Sequence, residues 1–219
     1  MTSDMSQIKH HLSDELLMGY AAGTLPEAFN LVVATHISIC DECRARLGAY
    51  EAVGGAVLED VGTTDMSSTL SDVFDIIDAG GTEFRAEPAA PKSDIFPDAL
   101  RDYIGGDLDS VKWRSVGMGV KQAILPTSRS ASARLLYIPG GAQMPDHGHR
   151  GTELTLVLQG AFKDEDDRFA RGDIEIATEA DHHTPVAEEG EPCICLAATD
   201  APLKFDGMIA RIAQKFARI

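Results

Sequence analysis

The chain has 219 residues, of which 44% are hydrophobic, so it is long enough to bury the core of one large domain or of two small ones. Its formal net charge of −16 makes nucleic acid and anionic membranes poor partners and a basic protein surface a good one. Solubility alone explains such a charge equally well.

Targeting signals are not expected in this sequence. Its first residues lack the apolar core of a signal peptide, and no window approaches the roughly 18 uninterrupted apolar residues of a membrane span. We therefore expect a soluble, cytoplasmic protein, in which the four cysteines are metal ligands or buried thiols rather than disulfides.

The first part of the chain is predicted to be helical. Ser13 is a favourable N-cap with acidic residues in the turn that follows, and Gly23 ends this first helix. A second helix begins near Pro26 and is apolar on more than one side. A third helix is expected over 41–56, and an amphipathic stretch at 68–78 predicts a fourth.

The apolar excess of the first two helices has two explanations, and the sequence favours neither. These side chains either form the core of the helical region or are covered by a protein partner. The residues concerned are Leu16, Leu17, Tyr20, Phe29, Leu31 and Val32.

A histidine and two cysteines form the first candidate site. His36, Cys40 and Cys43 are spaced by four and then three residues, which places them on one side of helical turns. Two thiolates and an imidazole suit zinc but need a fourth ligand, for which His10 and His11 are the nearby candidates. A redox pair or two buried thiols are the alternatives, and the added histidines favour zinc.

After a predicted linker at 81–97, which contains three prolines, the pattern changes to short strands. Many short strands separated by turn signals indicate a barrel or sandwich. The acidic run at 163–168 is expected to be a solvated turn, and 203–219 a helix packed on the barrel. The predicted strands are 111–116, 120–125, 133–138, 154–162, 173–177 and 193–198.

A second candidate site lies between two of these strands. His147 and His149 are two residues apart, so in an extended chain they face one side, and Glu153 begins the returning strand. The later pair His182 and His183 adds another imidazole. Together these groups form an N/O site for a divalent transition metal, whereas the simplest alternative is a polar turn with solvated histidines.

This segment resembles the cupin family. Gly141, His147, His149, Glu153 and Gly160 satisfy every position of the first cupin motif. The resemblance implies a small β-barrel of the jelly-roll type with three histidines and one glutamate around a metal.

The second cupin motif is less complete. Gly172 and His183 have the expected separation, which implies that His183 rather than His182 is the fourth ligand. The motif's proline, second glycine and asparagine are replaced by Thr178, Ala180 and Ala187.

Cys193 and Cys195 lie two apart in a predicted strand and share a face. Reduced core thiols are the favoured interpretation. An oxidant-sensitive pair near the barrel metal is the alternative, although a disulfide between these two positions would be strained.

The helical region resembles the zinc-binding anti-sigma domain, and the whole chain resembles the ChrR-type anti-sigma factors. The stretches LVVATHISICDECRARLGAYEAVGG, PDHGHRGTELTLVLQGAF, GDIEIA and CICLAATDAPL carry the likeness. It implies a helical zinc anti-sigma domain at 1–80, the linker at 81–97 and a cupin domain at 98–219. The implied zinc ligands are His11, His36, Cys40 and Cys43.

The resemblance also implies a function. Such a protein binds an extracytoplasmic-function sigma factor through its N-terminal helices, inhibits it, and releases it under singlet oxygen or related oxidative stress. Zinc is expected in the helical domain, and zinc or another divalent transition metal in the cupin. The alternative is a metal-dependent, dioxygenase-like cupin enzyme with a helical regulatory domain.

Overall fold

The computed structural model describes residues 8–62, 66–80 and 95–202, together with the backbone of a short strand at Lys204–Phe205. Within these residues a helical region precedes a cupin-like β-sandwich, which confirms the predicted α + β class. The helices are α1 (Asp14–Ala21), α2 (Glu27–Ile39), α3 (Asp41–Glu59), α4 (Leu70–Asp78) and α5 (Asp98–Ile104), followed by a 3-10 turn at Leu108–Ser110.

The strands form one large sheet and two small ones. The six-stranded sheet has the order β1-β2-β3-β11-β5-β8, and the small sheets have the orders β10-β6-β7 and β12-β4-β9. The strands are β1 (Arg114–Gly117), β2 (Val120–Leu125), β3 (Ser132–Ile138), β4 (His147–Gly148), β5 (Glu153–Gln159), β6 (Ala161–Lys163), β7 (Arg168–Ala170), β8 (Ile174–Ala177), β9 (His182–His183), β10 (Val186–Ala187), β11 (Cys193–Thr199) and β12 (Lys204–Phe205).

Local signals account for most element ends. The Ser13 hydroxyl accepts the backbone N–H of Leu16, as expected of an N-cap. The run predicted as one strand at 154–162 is divided, because Gly160 has a φ of 69° and turns the chain between β5 and β6. Helix α3 continues to Glu59, past the predicted end at 56, and α5 was not predicted.

The two faces of the six-stranded sheet pack on different parts of the molecule, the outer face on the helical region and the inner face on the barrel interior. On its outer face, Leu135, Leu156 and Leu196 are cross-strand neighbours and belong to one hydrophobic cluster with Phe29 and Val32 of α2. The alternate residues point inward, since side chains on a strand alternate between faces. Helix α2 therefore packs directly on the back of the sandwich.

This packing answers the question left open for the first two helices. Leu17, Phe29, Leu31 and Val32 are buried, and Leu16 and Tyr20 pack against the same cluster. The apolar excess is intramolecular core, because one face of a large sheet must be covered and α2 covers it. These residues are thus not the exposed partner surface that the sequence allowed.

Two predicted segments lie largely outside the described residues. They are most of the linker at 81–97 and nearly all of the C-terminal helix expected at 203–219. Where the description resumes, Phe96 is buried in the same cluster as α2.

Candidate metal centres

The four predicted zinc ligands come together in the helical region. The ligand atoms of His11, His36, Cys40 and Cys43 all lie within 4.8 Å of one another. Nε2 of His36 is 3.3 Å from Sγ of Cys43, and Nδ1 of His11 is 3.3 Å from Sγ of Cys40. We call this group the helical cluster.

The junction between α2 and α3 builds the helical cluster. Cys40 leaves the helical conformation, with φ −109° and ψ 104°, so it ends α2 and begins α3. Its thiol sulfur accepts the backbone N–H of Cys43 at 3.4 Å, as an N-cap does. The chain reverses there and brings Cys43 against His36, while His11 approaches from the extended segment before α1.

The histidine that the residues alone left open is placed by the structure. Nδ1 of His11 faces the two thiols, and its Nε2 lies 3.3 Å from the carboxylate of Glu42. His10 points the other way, toward Asp167 and Asp173 of the sandwich.

The protonation states of the helical cluster suit a metal ligand set. Burial, followed by the charge of His11, lowers the pKa of His36 to about 4, so the imidazole is neutral at pH 7. Burial is the main cause that raises the pKa of Cys43 to about 11. A divalent cation is the partner that would make buried thiolates favourable here, and two sulfurs with two imidazole nitrogens match the donors of structural zinc.

Three histidines form the second group, the barrel cluster. His147 on β4 pairs directly with His183 on β9, and His149 follows β4. Nε2 of His183 lies 3.2 Å from Nε2 of His147 and 3.3 Å from Nε2 of His149. All three side chains are buried, whereas His182 is directed outward and pairs with Asp146 at 2.9 Å.

Glu153 lies beside these imidazoles rather than among their converging nitrogens. Its Oε2 is 3.9 Å from Nδ1 of His149, and Thr155 donates a hydrogen bond to its Oε1. Burial, followed by the charge of Glu175, raises the pKa of Glu153 to about 7. The predicted ligand Glu153 is therefore outside the group of converging donor atoms, which contains His147, His149 and His183.

Two carboxylates that sequence reasoning missed contact His183. Nδ1 of His183 is 2.9 Å from Oε1 of Glu175 and 3.3 Å from Oδ2 of Asp164. Asp164 begins the run expected to be solvated, yet its side chain is only 4% exposed. The sequence could have indicated Glu175, because side chains alternate between the two faces of β8 and this alternation places Glu175 on the inward face.

Electrostatics divides the barrel cluster into two kinds of imidazole. Burial lowers the pKa values of His147 and His149 to about 4. Burial also acts to lower the pKa of His183, but Glu175 and Asp164 outweigh it and raise the value to about 9. Three imidazole nitrogens with an adjacent carboxylate fit zinc, iron or manganese.

The pair Cys193 and Cys195 is buried on the inner face of the sheet as free thiols, with the sulfurs 3.5 Å apart. Cys193 and burial raise the pKa of Cys195 well above its ordinary value, so this thiol is protonated at neutral pH.

Comparison with known proteins bears on the whole chain. The ChrR cupin-like domain family matches residues 102–201. The anti-sigma-E factor ChrR of Cereibacter sphaeroides is 56% identical over 217 residues, which are 97% of this chain and 99% of that protein. This chain belongs to the ChrR family of anti-sigma factors.

A solved member of the ChrR family has the same architecture. The crystal structure of Rhodobacter sphaeroides SigE in complex with the anti-sigma ChrR contains a chain that is 57% identical, with a TM-score of 0.74. The match covers 88% of this chain and 99% of that one. Among the described residues, no helix is long and apolar enough to cross a membrane.

Proposed function

We propose that this protein inhibits an extracytoplasmic-function sigma factor by binding it through the N-terminal helices, and releases it under singlet oxygen or related oxidative stress. The observation that carries the proposal is the near full-length likeness to ChrR. The helical cluster would hold zinc as a structural element, and the barrel cluster would hold zinc or another divalent transition metal for signal reception. Such a protein acts in the cytoplasm, where its target is.

The exposed apolar surface of the helical region supports this partner. The sandwich covers α2, but the second half of α3 and the whole of α4 remain exposed among the described residues. An apolar surface of this extent favours a protein partner over solvent. The exposed side chains are Val53, Val57, Leu58, Val61, Leu70, Val73, Phe74, Ile76 and Ile77.

Replacing Phe74 by aspartate tests this surface. We expect the sigma-factor affinity to fall at least about tenfold, because a buried aromatic anchor contributes roughly 2 kcal/mol or more to an interface. The thermal midpoint should stay unchanged, since Phe74 is exposed. Titration calorimetry with the purified sigma factor measures the affinity.

The matched control is Met118→Asp, which places the same charge at another exposed apolar residue, on the turn between β1 and β2. It should bind the sigma factor normally. Wild-type affinity of Phe74→Asp would place the sigma-binding surface elsewhere.

Replacing His149 by alanine separates inhibition from release. The variant should still inhibit the sigma factor, because the helical cluster is intact, but its response to singlet oxygen should be blunted. A sigma-dependent reporter with and without a photosensitiser measures both. His182→Ala is the control, since His182 is next to His183 but is directed away from the barrel cluster. An undiminished response of His149→Ala would contradict a sensing role for this site.

The second candidate function is a metal-dependent cupin enzyme, favoured by the three converging imidazoles inside the sandwich. In the regulatory role proposed above, those histidines bind the metal for signal reception instead. Metal-dependent turnover of a small organic substrate by the purified protein, without sigma-factor binding, would favour the enzyme.

A further inference from the structure

Two elements of the sandwich contact both the barrel cluster and the segment that immediately precedes His11. One is the acidic turn between β6 and β7, residues 164–167, and the other is the edge strand β8 with Asp173 immediately before it. Each element supplies one carboxylate to His183. Each supplies another to the segment that leads into His11.

On the barrel side, these carboxylates set the orientation of His183. Glu175 and Asp164 both face its Nδ1, at 2.9 and 3.3 Å, while its Nε2 faces the other two imidazoles. A hydrogen bond from Nδ1–H to a carboxylate keeps that proton on Nδ1, so Nε2 is the nitrogen that gives up its proton to a metal, and it is directed at the position where the three rings converge.

On the helical side, the chain before His11 lies along β8. Oδ1 of Asp173 accepts the backbone N–H groups of Lys9 at 2.6 Å and His10 at 3.0 Å. The N–H of Ile174 donates to the carbonyl of His10 at 3.3 Å. This segment therefore covers the open edge of the large sheet, which would otherwise expose unpaired backbone groups.

The acidic turn contacts the same segment with a side chain. Oδ2 of Asp167 lies 3.1 Å from Nε2 of His10, whose ring packs on Phe169 with the centroids 4.4 Å apart. The turn itself is rigid, because Oδ1 of Asp164 accepts the N–H groups of Asp166 and Asp167, each at 2.9 Å. A shift of Asp164 therefore moves Asp167 with it.

Burial distinguishes this arrangement from an ordinary acidic surface. The side chains of Asp164 and Asp173 are 4% and 5% exposed, and Glu175 is 10% exposed. A carboxylate is buried at low free-energy cost only where hydrogen bonds replace its water. Asp164 and Glu175 have such partners in the barrel cluster, and Asp173 has them in the backbone of the segment before His11.

We propose that Asp164 and Glu175 are positioning residues for His183, and that Asp167 and Asp173 are positioning residues for the segment carrying His11. Occupancy of the barrel cluster by a metal therefore tightens that segment. This inference rests on the metal sites assigned above, and it is independent of sigma-factor binding. It gives the sandwich a direct structural route to a ligand of the helical cluster.

The first experiment measures metal affinity of the full-length protein by competition with a chromophoric chelator. Glu175→Ala should weaken the barrel site by about 10–100-fold, the usual effect of losing a group that orients a metal-bound histidine. Glu175→Gln keeps an acceptor for Nδ1–H and should recover part of that loss, which also serves if the alanine variant does not fold. Glu179→Gln, an exposed residue two positions beyond β8, is the control. Wild-type affinity in both Glu175 variants would overturn the positioning role.

The second experiment measures hydrogen exchange of the amides of Lys9 and His10. Asp173→Ala removes their acceptor and sets the upper limit for the loss of protection. Emptying the barrel site with His149→Ala, which leaves both carboxylate-bearing elements intact, should speed this exchange by about fivefold or more, the lower range for coupled sites. Unchanged exchange in His149→Ala would overturn the link. Neither measurement includes a sigma factor, so a negative result in either of them is distinct from a failure of the proposed function.

Discussion

Replacing Cys40 by serine is expected to abolish sigma-factor binding. Cys40 is both a candidate zinc ligand and the residue at which α2 ends and α3 begins. A serine hydroxyl is a poor zinc ligand, and structural zinc in small domains contributes roughly 10–16 kcal/mol, as much as the whole stability of an ordinary domain. Without the metal, α3 loses its attachment to α2 and to His11. The exposed apolar side chains of α3 are then no longer held in a fixed position.

Zinc content and sigma-factor capture by the purified variant measure this effect. Cys193→Ser is the matched control, because Cys193 is also a buried free cysteine but lies on the inner face of the sheet. It should keep the zinc of the helical cluster and bind the sigma factor. If Cys40→Ser captures the sigma factor with wild-type affinity, the structural role of zinc is wrong.

Replacing Leu156 by alanine is expected to destabilise the helical region and the sandwich together. Leu156 is fully buried on the outer face of β5, in the cluster that α2 shares. Truncating a buried leucine leaves a cavity, and the free energy of unfolding should fall by about 2–5 kcal/mol. Since the core is continuous across both parts, chemical denaturation followed by far-UV circular dichroism and by tryptophan fluorescence should give coincident transitions.

Leu70→Ala is the control for this prediction, because it removes the same atoms from an exposed position on α4. Its effect on stability should stay within about 0.5 kcal/mol, the usual range for surface substitutions. Two separate transitions in Leu156→Ala, with only one of them shifted, would show that the helices and the sandwich unfold independently.

Part of each candidate ligand set could be predicted from the sequence, because the spacing of those residues is local. Cysteines three apart at a helix start, and histidines two apart in an extended chain, share a face whatever the rest of the fold does. The remaining ligands come from distant segments, so the residues alone left His10 and His11 open. The same applied to His182 and His183, which only the family resemblance resolved.

The carboxylates around His183 were not predictable in the same way. Asp164 lies in an acidic run that is typical of solvated turns, and the next three residues, Glu165, Asp166 and Asp167, are indeed exposed. Only strand pairing brings the turn against His183, 19 residues further along the chain. A contact between segments so far apart depends on topology, not on local pattern.

The residues by themselves indicated a helical region with candidate zinc ligands followed by a strand-rich barrel or sandwich, because helix caps, glycine turns and ligand spacing act over a few residues. The cupin was implied by the family resemblance. Only the tertiary structure decided which apolar faces are core and which are exposed. Periodicity shows which sides of α2 and α4 are apolar, but it does not show what covers them. Here the large sheet covers α2 and leaves α4 exposed, and the same packing places the chain before His11 on the edge strand that supports the barrel cluster.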